Sequence, residues 1–253
     1  MAERLPPILE FDPAPQAILN PGVCVDDLPP SGVLCFFQDV IDSLLAEGRL
    51  LEIGALKSEI GRNPVYALEV NGKRLFVSHP GVGAPLAAGF LEELVGSGAK
   101  AIIACGGCGA LDASIHVGRP VILTGAVRDE GTSYHYLPPN APAVPHPDAV
   151  AALRAVFETQ GLPYLTGTAW TTDAIYRETE ARRALRVAQG CLVVEMEAAA
   201  FFAAAQFRGV RFGQVVYGGD LVVPEGWEGR RWHSRAEIRQ ELFWLAVAAA
   251  ARL

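Results

Sequence analysis

The chain contains no apolar run approaching the roughly 18–20 residues that a bilayer-spanning helix needs, which argues against a membrane partner. Its N-terminus lacks a basic stretch followed by an apolar core, so no secretory signal is expected. It lacks a basic excess too: 21 Lys and Arg stand against 28 Asp and Glu, a formal net charge of −7. That balance excludes a broad basic surface, and nucleic acid as the main partner. Cysteine is sparse and odd in number. Cys24, Cys35, Cys105, Cys108 and Cys191 form no disulfide framework and read as reduced thiols in the cytoplasm. Cys105-x-x-Cys108 has no second pair at metal spacing, so zinc or redox chemistry is the weaker reading beside a glycine turn. No internal repeat or domain linker is found.

What is present suits one core. The 253 residues are 51% hydrophobic, and α/β domains of this length are commonly single. Residues 1–30 carry seven of the 18 prolines and little periodicity, predicting an irregular arm that lies on the surface or on a neighbouring subunit. From residue 31 onward the pattern is that of a folded domain. Gly32 to Phe37 predicts a core strand, and Val40, Ile41, Leu44 and Leu45 a helical stripe ended by Gly48. Asn71-Gly72 between two strand-like runs predicts a hairpin. Lys100 to Cys105 predicts a buried strand followed by a turn at Gly106-Gly107-Cys108-Gly109. With the glycine-rich turn His79 to Pro85 and a helix between, this is βαβ logic and a largely parallel sheet. Further strands are expected over 120–127, 164–169 and 210–217. Helices are expected over 148–159, 178–188 and 234–253, the last N-capped by Ser234 with Glu237 three residues on.

Val193-Val194-Glu195-Met196-Glu197-Ala198 organises the chemistry. A buried strand runs into an alanine-rich helix, with two carboxylates between them in apolar surroundings, where a charge is costly unless paired. The glutamates either cap the helix or line a pocket at the strand's carboxyl end, where open α/β sheets bind ligands. A ribose suits such a pocket, since one carboxylate accepts from two hydroxyls. Gly81, Gly83, Gly106 and Gly107 would present backbone amides to an anion or simply permit sharp turns. Arg128 to Tyr136, with His135 within it, reads as a substrate loop or a solvated loop with an Arg–Asp pair. Asp220 follows the last strand, as a general acid or a turn residue, with Arg230 and Arg231 close behind.

Taken together, Gly81-Val-Gly-Ala-Pro, Cys105-Gly-Gly-Cys-Gly-Ala, Arg128-Asp-Glu-Gly-Thr-Ser-Tyr-His, Val194-Glu-Met-Glu-Ala-Ala and Gly219-Asp220 occur in an order that resembles one family. It is the nucleoside phosphorylase family of uridine phosphorylase, the hexameric purine nucleoside phosphorylases and the methylthioadenosine nucleosidases. The resemblance runs from about Leu75 to Asp220. It implies a three-layer αβα sandwich with a mixed central sheet, a phosphorylase-like single domain over residues 31–253. It also implies cleavage of a ribonucleoside's N-glycosidic bond by phosphorolysis, and a homo-oligomer, either a dimer or a trimer of dimers. No cofactor is implied; the resemblance implies inorganic phosphate as a possible cosubstrate.

By position, the resemblance makes Glu197 the ligand of the ribose hydroxyls, with Met196 beneath the sugar and Glu195 in support. Asp220 falls where purine-specific members keep the Asp that meets the leaving base. Ile175 stands where a Phe usually stacks on the base, followed by Tyr176; Arg128, His135 and Arg231 complete the substrate-loop candidates. The uracil-reading Gln and Arg fall near Thr179 and Ala181 and are absent. The phosphate motif is degraded as well. Phe36-Phe37-Gln38-Asp39 replaces Gly-Asp-Pro-x-x-Arg, Ala104 replaces an Arg, and Gly107 replaces a Ser or Thr. Only a third Arg, donated across a dimer, has a counterpart in Arg62. Two alternatives follow from these losses: a nucleosidase that uses water, and a nucleoside-binding protein without catalysis.

Overall fold

The computed structural model describes residues 6–253 of the chain. The first five residues of the proline-rich arm fall outside them. Residues 6–30 hold one short 3-10 turn, Pro7–Leu9, and are largely exposed. The arm is tied down at several places: Ser97 Oγ accepts from the N–H groups of Cys24 and Val25, Arg208 donates to the Pro15 carbonyl at 2.8 Å, Arg74 pairs with Asp27, and the Pro30 carbonyl accepts from the Lys100 N–H at 2.7 Å.

The core is a mixed sheet of ten strands with helices on both faces. In chain order these are β1 Ser31–Cys35, β2 Leu50–Ser58, β3 Gly61–Val70, β4 Lys73–Ser78, β5 Ala101–Ala110 and β6 Pro120–Asp129. After them come β7 Leu165–Thr172, β8 Cys191–Glu195, β9 Arg211–Val223 and β10 Gly226–Glu228. The helices are α1 Gln38–Ala46, α2 Ala84–Gly96, α3 Pro147–Thr159, α4 Glu180–Ala188, α5 Ala198–Arg208 and α6 Ala236–Ala250. Helices α2 and α5 bury Phe90, Leu91, Phe201 and Phe202 on one face. Helices α1, α3 and α6 bury Ile41, Leu153 and Phe243 on the other. Helix α4 buries nothing and lies outside both layers.

Spatial order is β10-β9-β6-β7-β8-β5-β1-β4-β3-β2, with an added β9–β5 pairing. That pairing closes β5, β9, β6, β7 and β8 into a five-stranded ring, to which β1, β4, β3 and β2 are attached as an open wing. Strands β1, β4, β5 and β9 run parallel, so their carboxyl ends share one edge. Strand β8 runs antiparallel to β5 and meets it only at Gly109–Val194 and Ala110–Val193. Asn71 (φ 51°) and Gly72 (φ 74°) make the predicted β3–β4 hairpin, the left-handed pair that a tight right-twisted turn needs.

Several expectations are corrected. Gly106 to Gly109 is not a turn but the second half of β5, laddered to β9 through Gly106–Val216, Gly107–Tyr217 and Cys108–Gly218. Glycine there permits close approach rather than reversal. A side chain at Gly109 would come within 2.8 Å of Val194 and 3.1 Å of Val222. Cys105 and Cys108, three residues apart in a strand, therefore face opposite layers. Strand β9 extends past Tyr217, so Asp220 lies within a strand, at the bulge between its pairings with Cys108 and Ala110. Strand β2 was not foreseen. Ser234 does not cap α6: it sits in a 3-10 turn, Trp232–Ser234, bonds the Arg231 carbonyl, and leaves Arg235 at the cap position with no side-chain cap bond.

Candidate active site

The strand-to-helix turn from β8 into α5 places the two glutamates differently. Glu195, the last residue of β8, turns its carboxylate to the start of α5. It accepts from the N–H of Glu197 at 2.8 Å, from the N–H of Ala198 at 2.6 Å and from Thr171 Oγ at 2.5 Å. Thr171 in turn accepts from the Ala199 N–H at 3.0 Å. Glu195 thus satisfies the orphan donors of a helix N-terminus, where the macrodipole favours an anion. The capping reading holds for Glu195. Glu197 sits at the N-cap position but makes no cap bond; its Oε1 instead accepts the Gly83 N–H at 2.6 Å. Burial pushes both carboxyls well above the usual carboxylate range, and the Glu195 charge raises Glu197 further. The donors on each oppose that rise. Met196 lies half-buried between them.

Gly81 (φ 77°) and Gly83 (φ 90°) hold the left-handed backbone that bends the chain from β4 into α2. His79 braces this turn. Its Nδ1 accepts from the Gly81 N–H at 3.0 Å, which leaves the proton on Nε2 to donate to the Phe36 carbonyl at 3.2 Å. Burial lowers its pKa, in keeping with that neutral tautomer. Phe36 packs edge-on against His79 and Phe201, and a side chain at Gly106 would come within 2.9 Å of its ring. The place of the missing phosphate motif is therefore filled by an aromatic ring. Asp39, the last residue of that stretch, is ion-paired to Arg239 of α6 at 2.6 Å.

Asp220 enters from the other side of β5. Its Oδ2 lies 3.5 Å from where a Gly109 side chain would start and accepts the Trp227 indole N–H at 2.7 Å. Register puts Glu195 and Asp220 on the two strands flanking the end of β5. The buried Cys108 thiol between them is pushed up by burial, then by Asp220 and Glu195. Glu178 adjoins Asp220, and burial and that neighbouring charge raise its carboxyl to about 7. Arg183 of α4 fastens this corner, donating to the carbonyls of Val222, at 2.7 Å, and Leu111.

The other sequence candidates divide. Arg128 is occupied by its own loop: it donates to Ser133 Oγ and to the carbonyls of Leu137, Pro138 and Ala141, and stacks on Tyr134 at 4.1 Å. Asp129 pairs with Arg186 and Arg182 of α4 at 3.0 and 3.5 Å, not with Arg128. His135, Ile175 and Tyr176 are exposed on short 3-10 turns. Arg62 is exposed on β3 and paired with Glu52 of β2. Thr179 caps α4. Arg231 lines a cleft with His116, Arg230 and Arg235, and neither that cleft nor the groove beside it is lined by Glu197 or Asp220. Sequence reasoning missed Thr171, His79, Glu178 and Trp227. Thr171 and His79 act through bonds across the fold; Trp227 depends on the unforeseen β9–β10 hairpin.

Among the described residues no helix is long and apolar enough to cross a membrane. Compared with known proteins, the chain is 37% identical over 145 residues to a guanosine phosphorylase of Halorubrum lacusprofundi, covering 57% of this chain and 60% of that protein's length. The chain thus spans about three fifths of that curated relative. Among solved structures, the uridine phosphorylase of Vibrio fischeri superposes with a TM-score of 0.75 at 22% identity, covering 94% of this chain and 100% of that one. The AMP nucleosidase of Bacteroides thetaiotaomicron gives 0.72 at 23% identity, covering 89% of each chain. These two likenesses establish the fold. The family model described as the phosphorylase superfamily matches residues 30–242, and the chain belongs to that superfamily.

Proposed function

We propose that the protein cleaves the N-glycosidic bond of a ribonucleoside, by phosphorolysis to free base and ribose 1-phosphate. The observation that carries this reading is the division of labour at the β8–α5 turn. Glu195 is committed to the helix, while Glu197 is held by a single backbone donor and keeps acceptor capacity for two hydroxyls. Glu197 orients the ribose. The nucleophile approaches C1′ from the side of the Gly81–Gly83 turn and the glycine half of β5. The C1′–N bond breaks with its electron pair passing to the base, and Asp220 protonates or hydrogen-bonds the departing nitrogen heterocycle. An acid at that position, and the guanosine phosphorylase among the relatives, favour a purine.

One observation supports a second reading, hydrolysis with water in place of phosphate. A dianion needs charge-assisted donors. Here the Phe36 ring lies over Gly106, and among the described residues no guanidinium hydrogen-bonds within Gly81–Gly83 or Gly106–Gly109. Assembly as a dimer or trimer of dimers, with the partner subunit bringing an arginine to each site, would reconcile phosphate with this geometry.

The deciding experiment incubates the protein with guanosine, inosine, adenosine and uridine, with and without phosphate. Phosphate-dependent release giving ribose 1-phosphate supports phosphorolysis; phosphate-independent release giving ribose supports hydrolysis. Saturable binding with no base release over hours leaves a binding protein.

A further inference from the structure

Away from the glutamates, the 111–119 connection and the segment before α6 border a shallow, solvent-open cleft of about 470 Å³. It is lined by His116, Val117, Arg230, Arg231 and Arg235. Three guanidiniums and no carboxylate line it, in a chain whose net charge is −7. The nearest acid is Glu228, 3.8 Å from Arg230 Nε and mostly exposed.

Arg231 is exposed, and two features of its neighbourhood, the backbone at 230–231 and the buried Nε of Arg235, set the cluster apart from a plain basic face. Arg230 (φ 46°) and Arg231 (φ 54°) are consecutive non-glycine residues in the left-handed region, a strained choice in a chain that uses glycine at eleven other positive-φ positions. The Arg231 guanidinium has no hydrogen bond or ion pair among the described residues. Arg235 occupies the cap position of the 15-residue helix α6 without capping it. Its NH2 group donates to the Arg230 carbonyl at 2.7 Å, yet its Nε is buried and unpartnered among the described residues. A buried charged donor left unsatisfied is costly, and a helix N-terminus beside it adds free N–H groups of the same polarity.

We infer that this cleft is a second, non-catalytic binding site for a phosphoryl group, held by Arg230, Arg231 and Arg235 at the N-terminus of α6. Bidentate guanidinium forks and helix amides are the donors that a tetrahedral oxyanion takes best. The phosphoryl group is supplied either as inorganic phosphate or on a nucleoside monophosphate. The adjoining groove of about 270 Å³, lined by Phe157, Leu162, Ile238 and Leu242 among others, is where the rest of a larger ligand would lie.

The test separates this site from the ribose site. Wild type, Arg231→Gly, Arg235→Gln and Glu197→Gln are titrated calorimetrically with inorganic phosphate, with a nucleoside monophosphate and with the unphosphorylated nucleoside. Arg231 modification by phenylglyoxal is followed by peptide mass spectrometry with each ligand present. Expected are at least tenfold weaker phosphoryl binding in both arginine variants, unchanged phosphoryl binding at this site in Glu197→Gln, and at least fivefold protection of Arg231 by phosphoryl ligands but not by nucleoside. Tighter binding of the monophosphate than of inorganic phosphate assigns the groove to the nucleoside moiety; equal binding assigns the site to phosphate alone. Because glycine relieves the strain at 231, Arg231→Gly should keep or raise the thermal midpoint, so lost binding there cannot be lost folding. Phosphoryl binding undiminished in both arginine variants, or Arg231 unprotected, overturns the inference; nucleoside binding undiminished in Glu197→Gln would count against the ribose reading only.

Discussion

Glu197 Oε1 accepts the Gly83 N–H at 2.6 Å, a bond that joins the start of α5 to the start of α2 across 114 residues of sequence. It fixes the carboxylate that the ribose reading needs. Gln at this position retains an oxygen for Gly83 but puts an amide donor where the second carboxyl oxygen faced the substrate. Glu197→Gln should therefore fold with a near-native thermal midpoint while kcat/KM for the best nucleoside falls about 10²-fold, of the order of one or two hydrogen bonds lost with a partner left unpaired. Steady-state kinetics beside a melting curve checks both halves.

Glu195 predicts the opposite pattern. Removing its carboxylate orphans the Thr171 hydroxyl and two N–H groups of α5, all buried. Glu195→Ala should lose about 3 kcal/mol of unfolding free energy, from the missing cap and the unsatisfied donors. Urea denaturation measures it. A loss below 1 kcal/mol would mean that water replaces those bonds.

Asp220→Asn keeps an oxygen for the Trp227 indole, so the β9–β10 hairpin should survive. General acid assistance is worth about 10²–10⁴ in rate. Turnover of a purine nucleoside should drop within that range, with circular dichroism unchanged; unaltered turnover rules out the acid role.

Glu178 gives a pH signature. Burial first, and Asp220 second, raise its carboxyl from 4.5 to about 7. Between those values the folded protein binds more protons than the unfolded chain, so stability is fully present below 4.5 and declines as pH rises toward 7. Glu178→Gln should flatten part of that decline, Glu195 and Glu197 supplying more of it in the same direction. In Asp220→Asn, the Glu178 carboxyl followed by carbon-13 resonance should titrate at lower pH. No shift there would show that the two acids do not interact.

Arg128 is expected to matter for the fold of the 129–141 loop rather than for ligand contact. Lysine cannot reproduce a planar fork serving four acceptors. Arg128→Lys should lower unfolding free energy by about 2 kcal/mol, several partly buried acceptors losing charge-assisted partners, and should raise protease sensitivity in that loop.

How much of this was readable beforehand depended on whether a signal was local. The hairpin at Asn71-Gly72 and the alanine-rich α5 announce themselves within a few residues, and so did the Glu-Met-Glu turn. Gly106 to Gly109 misled because a glycine run signals a turn by local conformation. Here it signals crowding, visible only once Phe36, Val194 and Val222 are in place. Arg128 looked like a ligand contact because charge in a loop is normally solvated; its acceptors are carbonyls, which sequence does not display. The cleft at Arg231 was hidden for a related reason, since neither the positive φ of two arginines nor an orphaned Nε leaves a compositional trace. Strand β2, whose burial is irregular, gave no clean alternation to read.

The closed circuit of β5, β9, β6, β7 and β8 has one more consequence. Glu195 and Asp220 ride on separate members of that circuit, with a single strand between them, so their separation is set by two ladder spacings of about 4.8 Å each and not by any loop. Slippage of either member would have to be propagated around all five. Exposed residues such as Ile175, Tyr176 and those of the β9–β10 hairpin can therefore change identity while the distance between the two acids stays constant.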